Sequence, residues 1–219
     1  MLAIIPAFHE EKFIGQVVQQ VLEQVTAALV VDDGSNDTTT ERAAAAGARV
    51  IQHQANLGKG AALKTGIREG VRLGYSFFLF LDGDGQHDPG DIPAFFRAMN
   101  ETKADLVVGN RMGDLGSMPL IRRWTNKVMS WQISLLCGMN LPDSQCGFRL
   151  ARKEVIDVLL APSEHFDFET EIILLASRRG YKIQFVPVRT IYAQQRSKIR
   201  PLRDTLRYLH LITRYSVKR

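Results

Sequence analysis

Strand-length apolar runs alternate with helix-period segments through the first half of this chain, and few folds accommodate that pattern. The runs are LAII (2–5), AALVV (27–31), ARVIQ (48–52), YSFFLFL (75–81) and ADLVVG (104–109). Between the first two, Ile14, Val17, Val18, Val21, Leu22 and Val25 recur at helical spacing. Further helices are predicted from Asp37-Thr38, over 59–73, and from near Pro89. Strands and helices in strict alternation build a mostly parallel sheet with helices on both faces, so the expected fold class is α/β. At 219 residues the chain is long enough for one sizeable core.

Ligands of open parallel sheets sit beyond the carboxyl ends of the strands. Each run here ends in a polar cluster: PAFHE, DDGSND, NLGKG, DGDGQHD and GNR, in chain order. Five clusters therefore converge on one edge, and that edge is the candidate site.

The second half is less regular. Residues 121–137 are predicted helical, with Trp124, Val128, Trp131 and Leu135 at near-helical spacing. DSQCGFRL (143–150) reads as a turn and strand, and 152–160 as a short helix. A helix over 166–179 has acids at its start and Arg178-Arg179 at its end, as the helix dipole favours. Two short strands, 181–186 and 187–192, are expected to follow.

The net charge of +5 is unevenly placed. From Arg196 onward there are eight Lys/Arg and one acid, Asp204, whereas the preceding 195 residues carry 20 basic and 22 acidic side chains. A nearly neutral body argues against a nucleic-acid-binding core, and the basic end points to a local anionic surface. On a helical wheel Arg203, Arg207, His210, Arg214 and Lys218 share one stripe, and Leu202, Leu206, Tyr208, Leu209, Leu211, Ile212 and Tyr215 cover the other side. Such a helix either lies in a membrane interface or docks its apolar face on the domain. The expected organisation is one domain over 1–195 and a basic amphipathic helix over 196–219 that makes peripheral membrane contact. No apolar run approaches the roughly 20 residues of a membrane span. MLAIIPAFHEE shows no basic leader, and Cys137 and Cys146 are too few for a disulfide framework. A cytoplasmic setting with reduced thiols is expected.

The acids after FFLFL carry the chemistry. Asp82 and Asp84 flank Gly83, with Gln86 two residues on. Oxygen donors at alternate positions in a glycine-permitted tight loop suit a hard divalent cation, Mg²⁺ or Mn²⁺. A calcium-binding EF-hand loop is excluded, because the position that requires glutamate is Pro93. Asp88 is expected to cap the helix near Pro89, and Asp32 to be structural. NLGKG lacks the glycines of a phosphate loop and reads as a tight turn into a helix, with Lys59 a candidate donor contact. The chain also lacks the G-x-G-T-R opening of a nucleotidyltransferase.

Taken together, PAFHE (6–10), VVDDGS (30–35), NLGKG (56–60), DGDGQ (82–86), VGNR (108–111), DSQCGFR (143–149) and RSK (196–198) resemble the family-2 glycosyltransferases of the GT-A fold. Within them the chain looks most similar to polyprenyl-phosphate (dolichyl-phosphate) mannose and glucose synthases. The resemblance implies a Rossmann-like GT-A sheet and inverting transfer of a hexose from a UDP- or GDP-sugar, with a divalent metal, to a polyprenyl phosphate at the cytoplasmic face of a membrane. Carried over residue by residue, it puts Pro6, Ala7, Glu10, Val31 and Asp33 on the nucleoside. It puts Asp82, Gly83 and Asp84 at the diphosphate, with Asp82, Asp84 and Gln86 on the metal. Asp84 and Arg111 become the catalytic pair, and Arg123, Arg196 and Lys198 would hold the acceptor phosphate. Two departures stand out. His9 occupies a position where the family often has asparagine, and YAQQRSK (192–198) replaces R-x-x-G-x-S-K.

The acceptor sets the acid–base demand. A phosphate is already anionic at neutral pH and requires cations rather than a base, and Arg111, Arg122, Arg123, Arg149, Arg189, Arg196 and Lys198 are available. A sugar hydroxyl would require a carboxylate to take its proton, and Asp143 and Asp167 are the candidates. A hydroxyl acceptor, or an idle scaffold that binds nucleotide sugar without turnover, are the alternatives.

Overall fold

The computed structural model describes residues 1–113, 120–160, 168–191, 208 and 211–216. Seven strands form one sheet: β1 (Leu2–Ala7), β2 (Ala27–Asp32), β3 (Arg49–Gln52), β4 (Phe77–Phe80), β5 (Leu106–Asn110), β6 (Arg149–Arg152) and β7 (Ile183–Pro187). Their order across the sheet is β3-β2-β1-β4-β6-β5-β7. All neighbours pair in parallel except β6, which runs antiparallel to both β4 and β5. The mostly parallel α/β architecture expected from the alternation is therefore present.

Every residue of β1 is buried, as befits a central strand covered on both faces. Its one proline, Pro6, lies beyond the stretch Leu2–Ile4 that pairs with β4, so the missing N–H costs no bond on that side. Helices α1 (Ile14–Leu22), α2 (Thr39–Ala45), α3 (Lys59–Arg72) and α4 (Ile92–Thr102) connect the first five strands. In α1 the periodic residues Ile14, Val17, Val18 and Val21 are all buried. Helix α3 seats unusually close to the sheet through Gly66 and Gly70, where a β-carbon would stand 2.4 Å from Ile4 and 2.6 Å from Phe78. Asp88 caps the turn at Pro89 by accepting from the Gly90 amide.

Further helices among the described residues are α5 (Leu120–Cys137), α6 (Ile156–Leu159) and α7 (Phe168–Arg178). Of the strand expected over 187–192, Pro187 ends β7, and no separate strand forms among the described residues 188–191. Past β7 the Arg189 amide donates to the Asp91 carboxylate at 2.8 Å instead of to a neighbouring strand. Only an isolated bridge between Thr190 and His87 remains.

The described part of the carboxy-terminal segment packs on the domain. Tyr208, Leu211 and Tyr215 are buried, and 211–216 is helical. The Tyr208 hydroxyl donates to Gln132 of α5 at 2.9 Å, and the Tyr215 hydroxyl to Glu171 of α7 at 2.8 Å. Arg178 closes over the Tyr215 ring, 4.8 Å from its centroid, and donates to its carbonyl. Leu202, Arg203, Leu206, Arg207, Leu209, His210 and Lys218 of the predicted helix lie outside the described residues. Among the described residues no helix is long and apolar enough to cross a membrane.

Candidate active site

The ends of β1, β2, β4 and β5 and the starts of α3 and α7 build the site. Strand β4 stops at Phe80, and the chain turns so that the Gly83 amide faces the Pro6 carbonyl at the end of β1 (3.4 Å). A β-carbon at Gly83 would come within 3.1 Å of Ile14 and 3.3 Å of the Pro6 carbonyl, so glycine is what lets Asp82 and Asp84 lie against β1. His87 holds this loop from beneath: its Nδ1 accepts from the Asp82 amide at 3.2 Å, and its ring stacks on Phe148. Burial pushes the His87 pKa down to about 4, so the imidazole is neutral and acts as an acceptor.

Lys59, the first residue of α3, reaches into the same space. Its ammonium lies 2.6 Å from Asp82 Oδ1 and 2.7 Å from Glu169 Oε1 on α7. Burial alone would lower the lysine pKa, but the two carboxylates outweigh it and the pKa is raised. Burial opposes ionisation of Asp82, but the charge of Lys59, with a smaller contribution from Arg111, outweighs it and holds the carboxyl below the usual range. Gly147 leaves room for this pair, since a β-carbon there would sit 3.1 Å from the lysine nitrogen and 3.3 Å from the aspartate. Glu169 is buried, and among the described residues its Oε2 has no hydrogen-bond partner.

Asp84 behaves oppositely. Burial first, and then the charges of Asp82 and Glu10, push its pKa up to about 6. Its Oδ1 accepts from the Gln86 amide at 3.0 Å, a local bond that only partly offsets the repulsion. Two neighbouring carboxylates, one of them hard to ionise, are what a dication would relieve, and their oxygen donors match Mg²⁺ or Mn²⁺. The residues present thus fit such an ion. Among the described residues no set of three His, Cys, Asp or Glu is arranged around one ion, so phosphate oxygens and water would complete the shell.

The second charged corner follows β5. The Arg111 guanidinium makes a two-pronged pair with Asp143 at 2.8 and 2.9 Å, and its amide donates to the same carboxylate. Asp143 has no exposed surface and also accepts from the Gln145 amide, so it fixes the arginine instead of facing the edge. Ser130 of α5 accepts from the Ser144 amide at 2.9 Å, which ties this corner to α5. Arg149 is buried with its guanidinium donating to the carbonyls of Cys146, Glu169 and Ser144, a structural role. Arg189 pairs with Asp88 and Asp91 on the surface.

On the nucleoside side, Pro6 and Ala7 end β1 and are buried, while Glu10 opens the turn into α1 by accepting from the Phe13 and Ile14 amides. Asp33 spends both oxygens on protein donors: His53 at 2.7 Å, the Leu57 amide at 3.0 Å and the Gly58 amide at 2.7 Å. It therefore shapes the NLGKG turn that delivers Lys59. Val31 is fully buried, beside Gly66 of α3. Asp32 accepts from Ser35 and Thr40, as a structural residue would. His9 has φ of 54°, a left-handed conformation in which asparagine and histidine are enriched, which accounts for the residue type at that departure. Arg123 lies half-exposed near the start of α5. Arg196, Lys198 and Asp167 lie outside the described residues.

Sequence reasoning singled out both charged corners but not the partners that fix them. Glu169, like Asp167 and Glu171, carried the signal of an acid at a helix start and, from the family resemblance, of a residue shaping the acceptor site, and Asp143 the signal of a candidate base. Both contacts join segments far apart in the chain, which spacing alone does not reveal.

Residues 2–160 match the model of the family described as "Glycosyl transferase family 2". An uncharacterised protein of Methanocaldococcus jannaschii is 35% identical over 202 residues, covering 89% of this chain and 82% of the relative. An undecaprenyl-phosphate mannosyltransferase of Micrococcus luteus is 30% identical over 204 residues, covering 86% of this chain and 82% of the relative. Among solved structures, the glucosyl-3-phosphoglycerate synthase of Mycobacterium tuberculosis, crystallised with Mn²⁺, UDP and glucosyl-3-phosphoglycerate, superposes with a TM-score of 0.70 at 20% identity, covering 99% of this chain and 78% of that one. That likeness establishes a shared GT-A fold.

Proposed function

Because this chain belongs to glycosyl transferase family 2, we propose that it moves a hexose, with inversion, from a UDP- or GDP-sugar to a polyprenyl phosphate. The observation that carries the reading is the Asp82/Asp84 pair at the end of β4, flanked by the cations Lys59 and Arg111. Asp82 and Asp84, with Gln86 beside them, would hold Mg²⁺ or Mn²⁺. When bound, the ion supplies Lewis-acid stabilisation of the charge that builds on the departing diphosphate.

In the proposed reaction the bond between the anomeric carbon and the diphosphate oxygen breaks, and its electron pair leaves with the nucleoside diphosphate. A phosphate oxygen of the acceptor forms the new bond from the opposite face of the sugar. No proton has to move. Lys59 is placed to add charge-assisted hydrogen bonds near the diphosphate, and Arg111, locked by Asp143, offers a rigid guanidinium for a phosphate. The pairing of Asp143 favours a phosphate acceptor over a hydroxyl, because it removes the described carboxylate nominated as a base. The undecaprenyl-phosphate mannosyltransferase of Micrococcus luteus supports the same acceptor class.

The test is a thermal-shift panel of nucleotide sugars with Mn²⁺, followed by transfer to a short polyprenyl phosphate. Metal-dependent formation of a glycosylated lipid phosphate, lost in Asp84→Ala, is expected. Undiminished transfer by that variant would overturn the site, and transfer to free sugars alone would overturn the acceptor.

A further inference from the structure

We propose that the outer face of α5 is the surface through which this protein rests on an anionic bilayer. Ile121, Trp124, Trp131 and Leu135 are 84%, 72%, 63% and 57% exposed, and with Val128 they form a continuous stripe at three- and four-residue spacing. The opposite face of the same helix is buried through Asn126, Ser130 and Ile133. Among the described residues, exposed large apolar side chains elsewhere are scattered, whereas these four share one line on one helix.

Three observations identify the occupant as lipid. The chain has two tryptophans and both lie on this stripe, and indole rings favour the headgroup level of a membrane. The sequence of α5 contains Arg122, Arg123 and Lys127 and no acid, and Lys127 is exposed beside the apolar line. The described part of the carboxy-terminal segment also packs on this helix, since Tyr208 bonds to Gln132 of α5, and the sequence around it is basic. An apolar strip bordered by cations complements anionic headgroups. A second copy of the chain would instead bring the same cations face to face.

The carboxy-terminal helix was the sequence's candidate for this contact. Its buried residues Tyr208, Leu211 and Tyr215 are turned onto α5 and α7, so these apolar side chains are spent on the domain and the apolar contact falls to α5. The placement also suits the chemistry, and here the inference rests on the polyprenyl-phosphate reading. The buried side of α5 frames the Arg111–Asp143 corner through Ser130, so a helix lying in the headgroups would bring that corner to lipid phosphate.

The experiment uses the full chain, with vesicles of equal parts phosphatidylglycerol and phosphatidylcholine. Tryptophan emission is expected to shift to the blue on vesicle addition and to be quenched by lipids brominated on their acyl chains. Trp124→Ser with Trp131→Ser is expected to weaken co-sedimentation by about tenfold or more, while the unfolding temperature and the Mn²⁺-dependent binding of nucleotide sugar stay unchanged. Unshifted, unquenched emission overturns the proposal without recourse to any variant. So does a concentration-dependent dimer that the double substitution dissolves. Transfer to a water-soluble, short-chain polyprenyl phosphate separates the two readings. Its retention without vesicle binding sinks the surface alone, and quenched tryptophans without any such transfer sink the acceptor alone.

Discussion

The ammonium of Lys59 lies 2.6 Å from Oδ1 of Asp82, so a cation from the start of α3 already neutralises one of the two aspartates that end β4. The same nitrogen holds Glu169 at 2.7 Å, and the donor edge and α7 are thereby joined through one side chain.

Lys59→Met is expected to strand Asp82 and Glu169 as a like-charged pair. The site is largely but not wholly buried, so the loss of stability falls between surface and interior values, at about 1–3 kcal/mol. Mn²⁺ should restore part of it, raising the melting temperature of the variant more than that of the wild type. Equal shifts in the two proteins would show that the lysine and the ion do not share Asp82.

Asp84→Asn is expected to stabilise the metal-free fold at neutral pH. The folded pKa of about 6 lies above the ordinary carboxylate value, so the folded state binds this proton more tightly than the unfolded chain. The contribution therefore favours the fold at low pH and fades as pH rises through 6. Ionised Asp84 costs on the order of 2 kcal/mol near neutrality. Denaturant melts across pH should show the variant ahead of wild type at pH 7.5 and level with it below pH 4. The same substitution should abolish the Mn²⁺ shift.

Mn²⁺ affinity itself should fall below pH 6, by about tenfold per pH unit where one proton is displaced per ion. Titration calorimetry or paramagnetic relaxation reads this directly. A flat profile between pH 5 and 7 would remove Asp84 from the metal's ligands.

Asp143→Asn keeps the shape but leaves the Arg111 guanidinium without its counter-charge. A loss of about 2–4 kcal/mol is expected because the carboxylate has no exposed surface, together with a fall in transfer rate of about a hundredfold from misplacing the arginine. Arg111→Lys should lower the rate comparably, since an ammonium cannot reproduce the two-pronged pair.

Much of this was legible from one-dimensional pattern. The alternation gave the parallel sheet, and the polar clusters gave the ligand edge, because both depend on neighbours in sequence. The antiparallel β6 between β4 and β5 was less so. DSQCGFRL reads as a strand, but nothing local says which strands receive it. The 187–192 segment has strand composition, yet Asp91 captures the Arg189 amide and ends the ladder. At the site, Asp82 and Asp84 stand out by type and position and Arg111 through the family resemblance, whereas Glu169, Asp143 and His87 act through contacts that only the folded chain makes. The apolar stripe of α5 was visible as periodicity, but periodicity alone favours a core face. Exposure is what distinguishes it.

Tyr215→Phe tests whether the carboxy-terminal segment belongs to the folded unit. The hydroxyl donates to Glu171, which is fully buried, so its removal should cost about 1–3 kcal/mol while leaving the ring in place. A variant as stable as wild type would show that the helix is only loosely attached.

The reversed strand β6 has a spatial consequence for the chemistry proposed. Neighbouring strands lie about 4.8 Å apart, so placing one strand between β4 and β5 sets their ends about 10 Å apart. In the proposed reaction the leaving group and the attacking phosphate would thus be received in separate berths, with a sugar ring's width between them. Were β4 and β5 direct neighbours, the two anions would crowd a single berth, and no ring could present opposite faces to both.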